Sequence, residues 1–315
     1  MKACVDIGGT KISVCLTPDG SVGADGLPSL LHRRSASTPR AGTRDALARM
    51  VIALVNAACV DAGITRSALT AVGVASCGPF VRVDGQIELA APNICGGMAG
   101  SARGLPNDWP SAPLQAPLQA VFSGVRIEND GVAALEAERR WGALRGFQHC
   151  AYVTWSTGVG VGLCVDGHVL HGKHGNAGHA GHMFVSDDDS GARCGCGNLG
   201  DVEALVAGSA LPGRFGMDAA ALMQAAEAGD AHALTTVDAL CRTLGRMLYN
   251  LTVTLDLERI SLGGGVFWHH RIFLLPRLQA QITGRFPALT TGVELVAAGL
   301  GAQVGDYAAL ALVSD

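Results

Sequence analysis

The sequence of 315 residues lacks a continuous apolar run of about 18 residues, the length that a membrane-spanning helix requires. Residues 151–165 come closest, but Thr154, Ser156 and Thr157 interrupt them. The chain also does not open with the basic segment and apolar stretch that mark a secretory signal. These absences predict a cytoplasmic protein that has no membrane-spanning helix.

Charge is scarce as well, since charged residues make up only 16% of the chain and the formal net charge is −4. Surfaces that bind nucleic acid or anionic lipid are usually strongly basic, so neither partner is expected. The hydrophobic fraction of 49% is typical of a globular protein. A chain of this length predicts two domains, each with its own core.

The ten cysteines do not form the closely spaced framework of a disulfide-stapled protein. We interpret eight of them as small buried hydrophobes in a reducing compartment: Cys4, Cys15, Cys59, Cys77, Cys95, Cys150, Cys164 and Cys241. Cys194 and Cys196 stand apart, because only one residue separates them.

The first motif present is a glycine turn between two apolar runs, and the pattern predicts a β-hairpin with strands at 3–7 and 12–16. Its turn contains Gly8, Gly9, Thr10 and Lys11. Glycines let backbone N–H groups approach an anion, the hydroxyl can donate to phosphate, and the lysine can neutralise it. Asp6 beside the turn can hold hydrated magnesium. Taken alone, the motif also fits an ordinary hairpin turn.

A second hairpin is predicted from strands at 151–155 and 161–165, which flank Thr157 and Gly158. A helix at about 235–255 precedes a strand at 259–262, and Gly263, Gly264 and Gly265 follow it. Two hairpins with hydroxyl-plus-glycine turns indicate a duplicated α/β unit with nucleotide held between the copies. Further elements are predicted as a helix at 44–60 and strands at 72–75 and 125–128. Residues 96–120, with four prolines, are predicted to connect domains or to form a surface excursion.

Six motifs in this order resemble the ROK family of repressors, open-reading-frame proteins and sugar kinases. They are Asp6 to Lys11, Asn129-Asp130, Thr157 to Gly162, Gly175 to Met183, Cys194 to Glu203 and Gly263 to Val266. The resemblance covers nearly the whole chain. It implies a two-domain actin-like ATPase fold, with duplicated ribonuclease H-like α/β domains around a central cleft that binds MgATP and a sugar. We expect a smaller domain at 1–118 plus 299–315 and a larger domain with the zinc segment at 119–298.

The resemblance also implies residue roles. Asp130 is the general base, although Asn129-Asp130-Gly131 alone equally fits the start of a helix. The nucleotide contacts are implied to be Asp6, Gly8, Gly9, Thr10 and Lys11 in the first phosphate loop, Thr157 and Gly158 in the second, and Gly264 and Gly265 on the adenosine side. The sugar contacts are implied to be Asn93, Asn129, His179, His182 and Glu203.

Two positions depart from the family pattern. Asp201 stands where a third cysteine is usual, so the implied structural zinc site is His182, Cys194, Cys196 and Asp201. Zinc accepts carboxylate oxygen, but Asp201 can instead cap the following helix, with the metal lost. His179 replaces a usual glutamate. A neutral imidazole offers one donor and one acceptor, so a sugar contact must change there, unless His179 is simply a surface histidine.

The resemblance implies an ATP-dependent kinase that phosphorylates a hexose hydroxyl, with glucose to glucose 6-phosphate expected first. The alternatives are a kinase for N-acetylmannosamine or N-acetylglucosamine and a non-catalytic sugar-binding ROK protein. Polyphosphate as donor would need an extended basic track, which this sequence does not display. A repressor would carry a helix-turn-helix segment before the core, whereas the first predicted strand begins at residue 3. The family also implies a homodimer.

Overall fold

The computed structural model describes residues 1–99, 104–187 and 191–314, and the chain forms two compact units. The first unit consists of Met1–Ala137, His171–Ala177 and Gln303–Asp315, and the second of Glu138–Leu170 and Gly178–Ala302. The first unit extends beyond residue 118, where the sequence predicts the smaller domain to end. The predicted domain limits, 1–118 plus 299–315 and 119–298, stay a prediction.

The first unit is built on a five-stranded sheet with the order β3-β2-β1-β4-β8. Its strands are β1 (Lys2–Ile7), β2 (Lys11–Thr17), β3 (Leu31–Ser37), β4 (Ala71–Ser76) and β8 (Val125–Asn129). β1 pairs antiparallel with β2 and parallel with β4, which pairs parallel with β8. The predicted hairpin is therefore present. The sequence did not predict β3, because most of its side chains are exposed and they show no apolar pattern.

The remaining elements of the first unit lie around this sheet. A three-stranded sheet contains β5 (Phe80–Val83), β6 (Gln86–Leu89) and β7 (Ala112–Pro113), and the helices are α1 (Ala46–Asp61), α2 (Gly96–Ala99), α3 (Gln115–Gln119), the start of α4 (Asp130–Trp141) and α12 (Val304–Ala311). α1 matches the helix predicted at 44–60. It buries Leu47, Val51, Val55 and Ala58 at helical spacing against the sheet.

The prediction of a connection or surface excursion at 96–120 is wrong for the described part of that segment. Trp109, Leu114 and Leu118 are buried in the core of the first unit. Pro113 lies in the short strand β7 and Pro117 in the first turn of α3, where a backbone N–H has no helical partner. These two prolines therefore lie in short elements of secondary structure, a strand and a helix, rather than in an exposed loop. Residues 100–103 lie outside the described residues.

The second unit repeats the plan of the first. Its sheet has the order β11-β10-β9-β12-β13, with strands β9 (Cys150–Trp155), β10 (Val159–Val165), β11 (His168–Val169), β12 (Arg259–Gly263) and β13 (Glu294–Ala297). β9 pairs antiparallel with β10 and parallel with β12, and β12 pairs parallel with β13. Strand order and directions match those of the first sheet, so the predicted duplication is confirmed.

Helices complete the second unit. They are the end of α4, α5 (Val202–Val206), α6 (Leu211–Phe215), α7 (Ala219–Glu227), α8 (Ala231–Leu255), α9 (Gly265–His269), α10 (Arg271–Ile282) and α11 (Pro287–Thr290). The helix predicted at 235–255 is α8, which begins four residues earlier because Asp230 caps it by accepting the N–H of Ala233. Among the described helices, none combines the length and the apolar character needed to cross a membrane.

Candidate functional site

The predicted acids of the first unit lie at one edge of its sheet. Ile7 pairs with Ser76 and Ser76 with Asn129, so the carboxyl ends of β1, β4 and β8 are in register. Asp6 lies at the end of β1, and Asp130 follows β8 directly. In α/β sheets, ligands bind outside the carboxyl ends of the strands. The fold thus brings Asp6, Asn129 and Asp130 to a ligand-binding edge.

The Asp6 carboxyl lies near two other carboxylates. Burial, together with the nearby carboxylates of Asp130 and Asp306, raises the pKa of Asp6 from 3.8 to about 7. Asp306 is buried in α12, where Arg33 binds both of its oxygens at 2.6 and 2.8 Å. A Cβ on Gly305 would lie 3.1 Å from Asp6 Oδ2, so α12 approaches the carboxylate closely. A cation placed here would relieve the repulsion between these groups.

Asn129 and Asp130 also form the start of α4. Asp130 Oδ1 and Asn129 Oδ1 accept the N–H of Gly131, at 2.8 and 3.0 Å. The helix-start interpretation of this pair is therefore correct. This helix-start role does not exclude Asp130 as the general base, because the charge of Asp130 acts on Asp6 from the same position.

The first glycine turn, residues 8–11, has its carbonyl oxygens held by the protein. The donors are Thr38 Oγ1 to Gly8 O (2.7 Å), Arg40 Nη2 to Gly9 O (2.7 Å), Thr38 N–H to Thr10 O (3.0 Å) and Gly8 N–H to Lys11 O (2.9 Å). The N–H groups of Gly9 and Thr10 meet no acceptor within the described part of the chain. Two adjacent amides without a protein partner are an anion-binding arrangement.

Asn93 lies directly against this turn. A Cβ built on Gly9 would lie 1.9 Å from Asn93 Nδ2, so only glycine fits between them. Asn107 fixes the Asn93 segment by donating to Ile94 O at 2.9 Å and accepting from the N–H of Gly96 at 2.8 Å. The structure thus brings Asn93 to the first turn, with which the sequence did not connect it.

The second glycine turn, residues 156–158, repeats the arrangement of the first. Its carbonyl oxygens accept from Gly208 N–H (2.8 Å to Ser156 O), from Ser209 N–H and Oγ (3.2 and 2.7 Å to Thr157 O) and from Ser156 N–H (2.9 Å to Gly158 O). For the N–H groups of Thr157 and Gly158, the described residues again provide no acceptor. Both units therefore present a pair of adjacent amides at the hairpin turn.

The third glycine turn lies beside the second. Gly263 at the end of β12 pairs with Thr154 of β9. Gly264 has a φ of +87°, and a Cβ there would lie 2.5 Å from the carbonyl oxygen of Trp155. This close approach requires glycine and places the start of α9 at the second turn.

Glu203, predicted as a sugar contact, binds the second turn in this structure. Its Oε2 accepts the N–H of Val159 at 3.0 Å and would lie 2.6 Å from a Cβ on Gly158. Its Oε1 accepts from the Cys194 thiol at 3.5 Å. Glu203 thus connects the turn with the cysteine segment.

The four predicted metal ligands converge. The donor atoms of His182, Cys194, Cys196 and Asp201 all lie within 4.8 Å of one another. His182 Nδ1 is 3.1 Å from Asp201 Oδ2 and 3.6 Å from Cys194 Sγ, and Cys196 Sγ is 3.6 Å from Asp201 Oδ2. Ligands at about 2.0–2.3 Å from a tetrahedral zinc are about 3.3–3.8 Å apart. The donor set therefore fits zinc, and these three separations lie close to this range.

Asp201 fills both roles that the sequence presented as alternatives. Its Oδ1 caps α5 by accepting the N–H of Ala204 at 2.7 Å, and its Oδ2 faces the other three metal-ligand candidates. Burial opposes its ionisation, but hydrogen bonds from His182 and Ala204 outweigh burial and lower the pKa of Asp201. The same hydrogen bond to Asp201 raises the pKa of His182. Asp201 can therefore cap α5 and still be the fourth ligand candidate of the metal group.

His179 lies next to this group, with its ring stacked on that of His182 at a centroid distance of 6.1 Å. The N–H of His182 donates to the carbonyl oxygen of His179 at 3.0 Å. Because His182 presents Nδ1 to the metal group, Nε2 is the nitrogen left for any sugar contact. The predicted sugar role of His179 stays a prediction.

Several residues of the site were missed from the sequence. Thr38 and Arg40 follow the unpredicted strand β3, Gly208 and Ser209 follow α5, and Asp306 lies nearly at the end of the chain. A buried acid in an otherwise apolar helix was the only available signal, and it applies to Asp306 alone. Cys77, expected to be a buried hydrophobe, is only half-buried beside the edge that carries Asp6 and Asp130.

The model of the ROK family matches residues 2–315. The chain belongs to the ROK family. The predicted membership is thus confirmed over nearly the whole length, as is the α/β actin-like ATPase fold that ROK proteins share.

Two ROK-like relatives have assigned activities. The glucokinase of Aeropyrum pernix is 29% identical, with 98% of this chain and 95% of that protein aligned. The N-acetylmannosamine kinase of Escherichia coli is 33% identical, with 83% and 82% aligned. A crystal structure of the ROK glucokinase of Streptomyces griseus with glucose and AMPPNP is 26% identical. It superimposes with a TM-score of 0.70, over 98% of this chain and 97% of that chain.

Proposed function

We propose that this ROK protein is an ATP-dependent kinase that phosphorylates a hexose hydroxyl, with glucose as the first candidate substrate. The observation that carries the proposal is the repeated turn. Each unit presents two adjacent amides at a glycine hairpin, and the first unit adds two carboxylates at the same sheet edge. Names of the relatives support the same activity, because both are sugar kinases.

The chemistry of phosphoryl transfer suits these groups. The reaction depends mainly on positioning and on neutralising phosphate charge, rather than on covalent catalysis. The amides of Gly9, Thr10, Thr157 and Gly158 bind phosphate oxygens, and Lys11 adds a positive charge. Asp130 accepts the proton of the attacking sugar hydroxyl.

Asp6 is the residue that would hold magnesium. Its carboxylate lies next to the first turn, and its raised pKa supports this role, because a bound cation would offset the burial and repulsion of the charged form. Magnesium usually binds through one or two carboxylates and retains several waters, which one carboxylate beside a phosphate turn allows. When bound, the ion supplies charge neutralisation at the phosphates.

The sugar is proposed to contact Asn93, Asn129, His179, His182 and Glu203. An N-acetylhexosamine is the second candidate, because the Escherichia coli relative that phosphorylates N-acetylmannosamine is the more similar of the two by identity. Glucose is preferred because the glucokinase aligns over a larger share of this chain.

A coupled assay of ADP release across a sugar panel tests this proposal. We expect turnover with ATP and glucose well above turnover with N-acetylmannosamine or N-acetylglucosamine, and none with polyphosphate replacing ATP. Higher turnover with an N-acetylated sugar would select the second candidate. No turnover with any sugar, despite sugar binding by calorimetry, would favour a non-catalytic sugar-binding protein.

A zinc ion is proposed at His182, Cys194, Cys196 and Asp201, with a structural role. It would close the segment between residues 182 and 201 and so orient His182 and Glu203. The two thiols, the imidazole and the carboxylate form a closed four-ligand set, which is typical of structural zinc rather than catalytic zinc.

Protein purified without chelator is expected to contain about one zinc per chain by elemental analysis. Cys194→Ser should lower the zinc content several-fold, because an alcohol is a far weaker ligand than a thiolate. Cys241→Ser is a matched control, since Cys241 is buried in α8 and outside the group. Clearly less than one zinc in the parent protein would rule out the site.

The homodimer and the cytoplasmic location remain predictions from the family resemblance and from cysteine usage. Size-exclusion chromatography with light scattering measures the first directly.

A further inference from the structure

The N–H groups of Gly9 and Thr10 belong to two peptide groups of the first turn. The carbonyl oxygen of each of these peptides accepts a hydrogen bond from a side chain. Thr38 Oγ1 donates to Gly8 O, whose peptide carries the N–H of Gly9. Arg40 Nη2 donates to Gly9 O at 2.7 Å, and that peptide carries the N–H of Thr10. Each amide proposed to bind phosphate thus has a side-chain donor on the carbonyl of its own peptide.

The planarity of the peptide group determines what such a donor does. In a trans peptide the C=O and N–H bonds point in opposite directions. A donor on the oxygen therefore fixes the direction in which the N–H points and polarises it, because linked hydrogen bonds strengthen one another. Arg40 lies on the far side of the peptide from the proposed phosphate, so it acts through the peptide rather than by contact.

The charge of Arg40 is available for this task. Within the described ranges, no carboxylate lies within ion-pair distance of its guanidinium, whereas Arg33, Arg34 and Arg44 each have one. Its backbone is fixed because Asn107 Nδ2 donates to Arg40 O at 2.8 Å. The side chain is only half-buried, yet it reaches the carbonyl of Gly9.

The second turn is supported differently. Among the described residues, its two corresponding carbonyls, of Ser156 and Thr157, accept from backbone N–H groups and from the hydroxyl of Ser209 and from no charged side chain. The support of the first turn is therefore cationic and that of the second is neutral. Since a hydrogen bond from a charged donor contributes more than a neutral one, Arg40 is the stronger of the two supports.

We propose that Arg40 is a positioning residue of the phosphoryl-donor site, which orients and polarises the Thr10 amide through the Gly9 carbonyl. This inference rests on the proposed kinase function. It predicts that Arg40 contributes to binding of the phosphate chain and not to binding of the adenosine part.

The test is calorimetric titration of ADP and of adenosine, without sugar, into the parent and the Arg40→Gln and Arg40→Lys variants. We expect the Kd of ADP to rise about tenfold in Arg40→Gln, which corresponds to about 1.4 kcal/mol. Arg40→Lys, which keeps the charge, should recover part of this loss. The Kd of adenosine should stay within twofold in both variants.

Arg34→Gln is the matched control, because it removes an exposed arginine of β3 whose carboxylate partner, Asp61, lies away from the turn. Its Kd for ADP should equal that of the parent. An unchanged Kd for ADP in Arg40→Gln, or an equal change for adenosine, would overturn the inference and leave the proposed function intact. A parent that binds ADP no better than adenosine would refute both.

Discussion

Replacing Asp130 with asparagine is expected to lower kcat by about 10²–10⁴-fold, the range that general-base catalysis contributes. Asparagine keeps the size of the side chain and its ability to accept the N–H of Gly131, so the start of α4 should be preserved. It cannot take up the proton of the sugar hydroxyl. The Kd of the sugar should therefore stay within a few-fold of the parent value.

The measurement is the coupled ADP-release assay together with calorimetric titration of the preferred sugar. Asp218→Asn is the matched control, since Asp218 is also a helix-start aspartate, capping α7 through the N–H of Ala221, but lies outside the site. Its kcat should match that of the parent. If Asp130→Asn retains activity within about tenfold of the parent, Asp130 is not the base.

Replacing Asp6 with asparagine is expected to remove most activity and, at the same time, to stabilise the protein in the absence of magnesium. Loss of the proposed magnesium ligand should lower kcat/KM by at least about 10²-fold, because charge stabilisation by a metal ion is worth several kcal/mol. Such opposite effects on activity and stability are expected where a site holds repelling charges that a ligand normally neutralises.

The pH dependence follows from the raised pKa of Asp6. Because its pKa rises from 3.8 to about 7 on folding, the protonated acid stabilises the fold below pH 3.8. That contribution is lost as the pH rises through about 7. At 1.36 kcal/mol per pKa unit, the loss is on the order of a few kcal/mol, reduced by the partial exposure of the side chain.

Thermal unfolding without added magnesium at pH 5 and pH 8 measures this effect. The Tm of Asp6→Asn should exceed that of the parent by several degrees at pH 8 and by clearly less at pH 5. Magnesium with ADP should raise the Tm of the parent at pH 8 more than that of the variant. An equal Tm difference at both pH values would contradict a raised pKa of Asp6 caused by burial and by the neighbouring carboxylates.

Much of the fold was predictable because its signals are local. The two hairpins combine apolar alternation with glycine turns, and α8 follows a helical period over many residues. β3 was not predicted, since its mostly exposed side chains follow no apolar period. Pro113 and Pro117 gave a misleading signal, because proline also occurs in short strands and first helical turns.

The site was predictable where one short segment carries the chemistry and not where partners come from distant segments. Spacing along the chain was enough to find Cys194 and Cys196, and the family pattern added His182 and Asp201. Nothing in the sequence connects Arg40 with Gly9, or Asp306 with Asp6, because these contacts exist only after the strands and α12 pack together. The electrostatic character of the Asp6 environment is likewise a property of the folded unit.

The two roles of the Asp201 carboxylate restrict which side chains position 201 tolerates. One oxygen holds the amino end of α5 and the other faces two sulfurs and an imidazole. Cysteine at this position could bind zinc but would cap α5 poorly, and serine could cap α5 but would bind zinc weakly. A short acid meets both demands at once, so Asp201 anchors the helix at the position where the family resemblance implies a third cysteine.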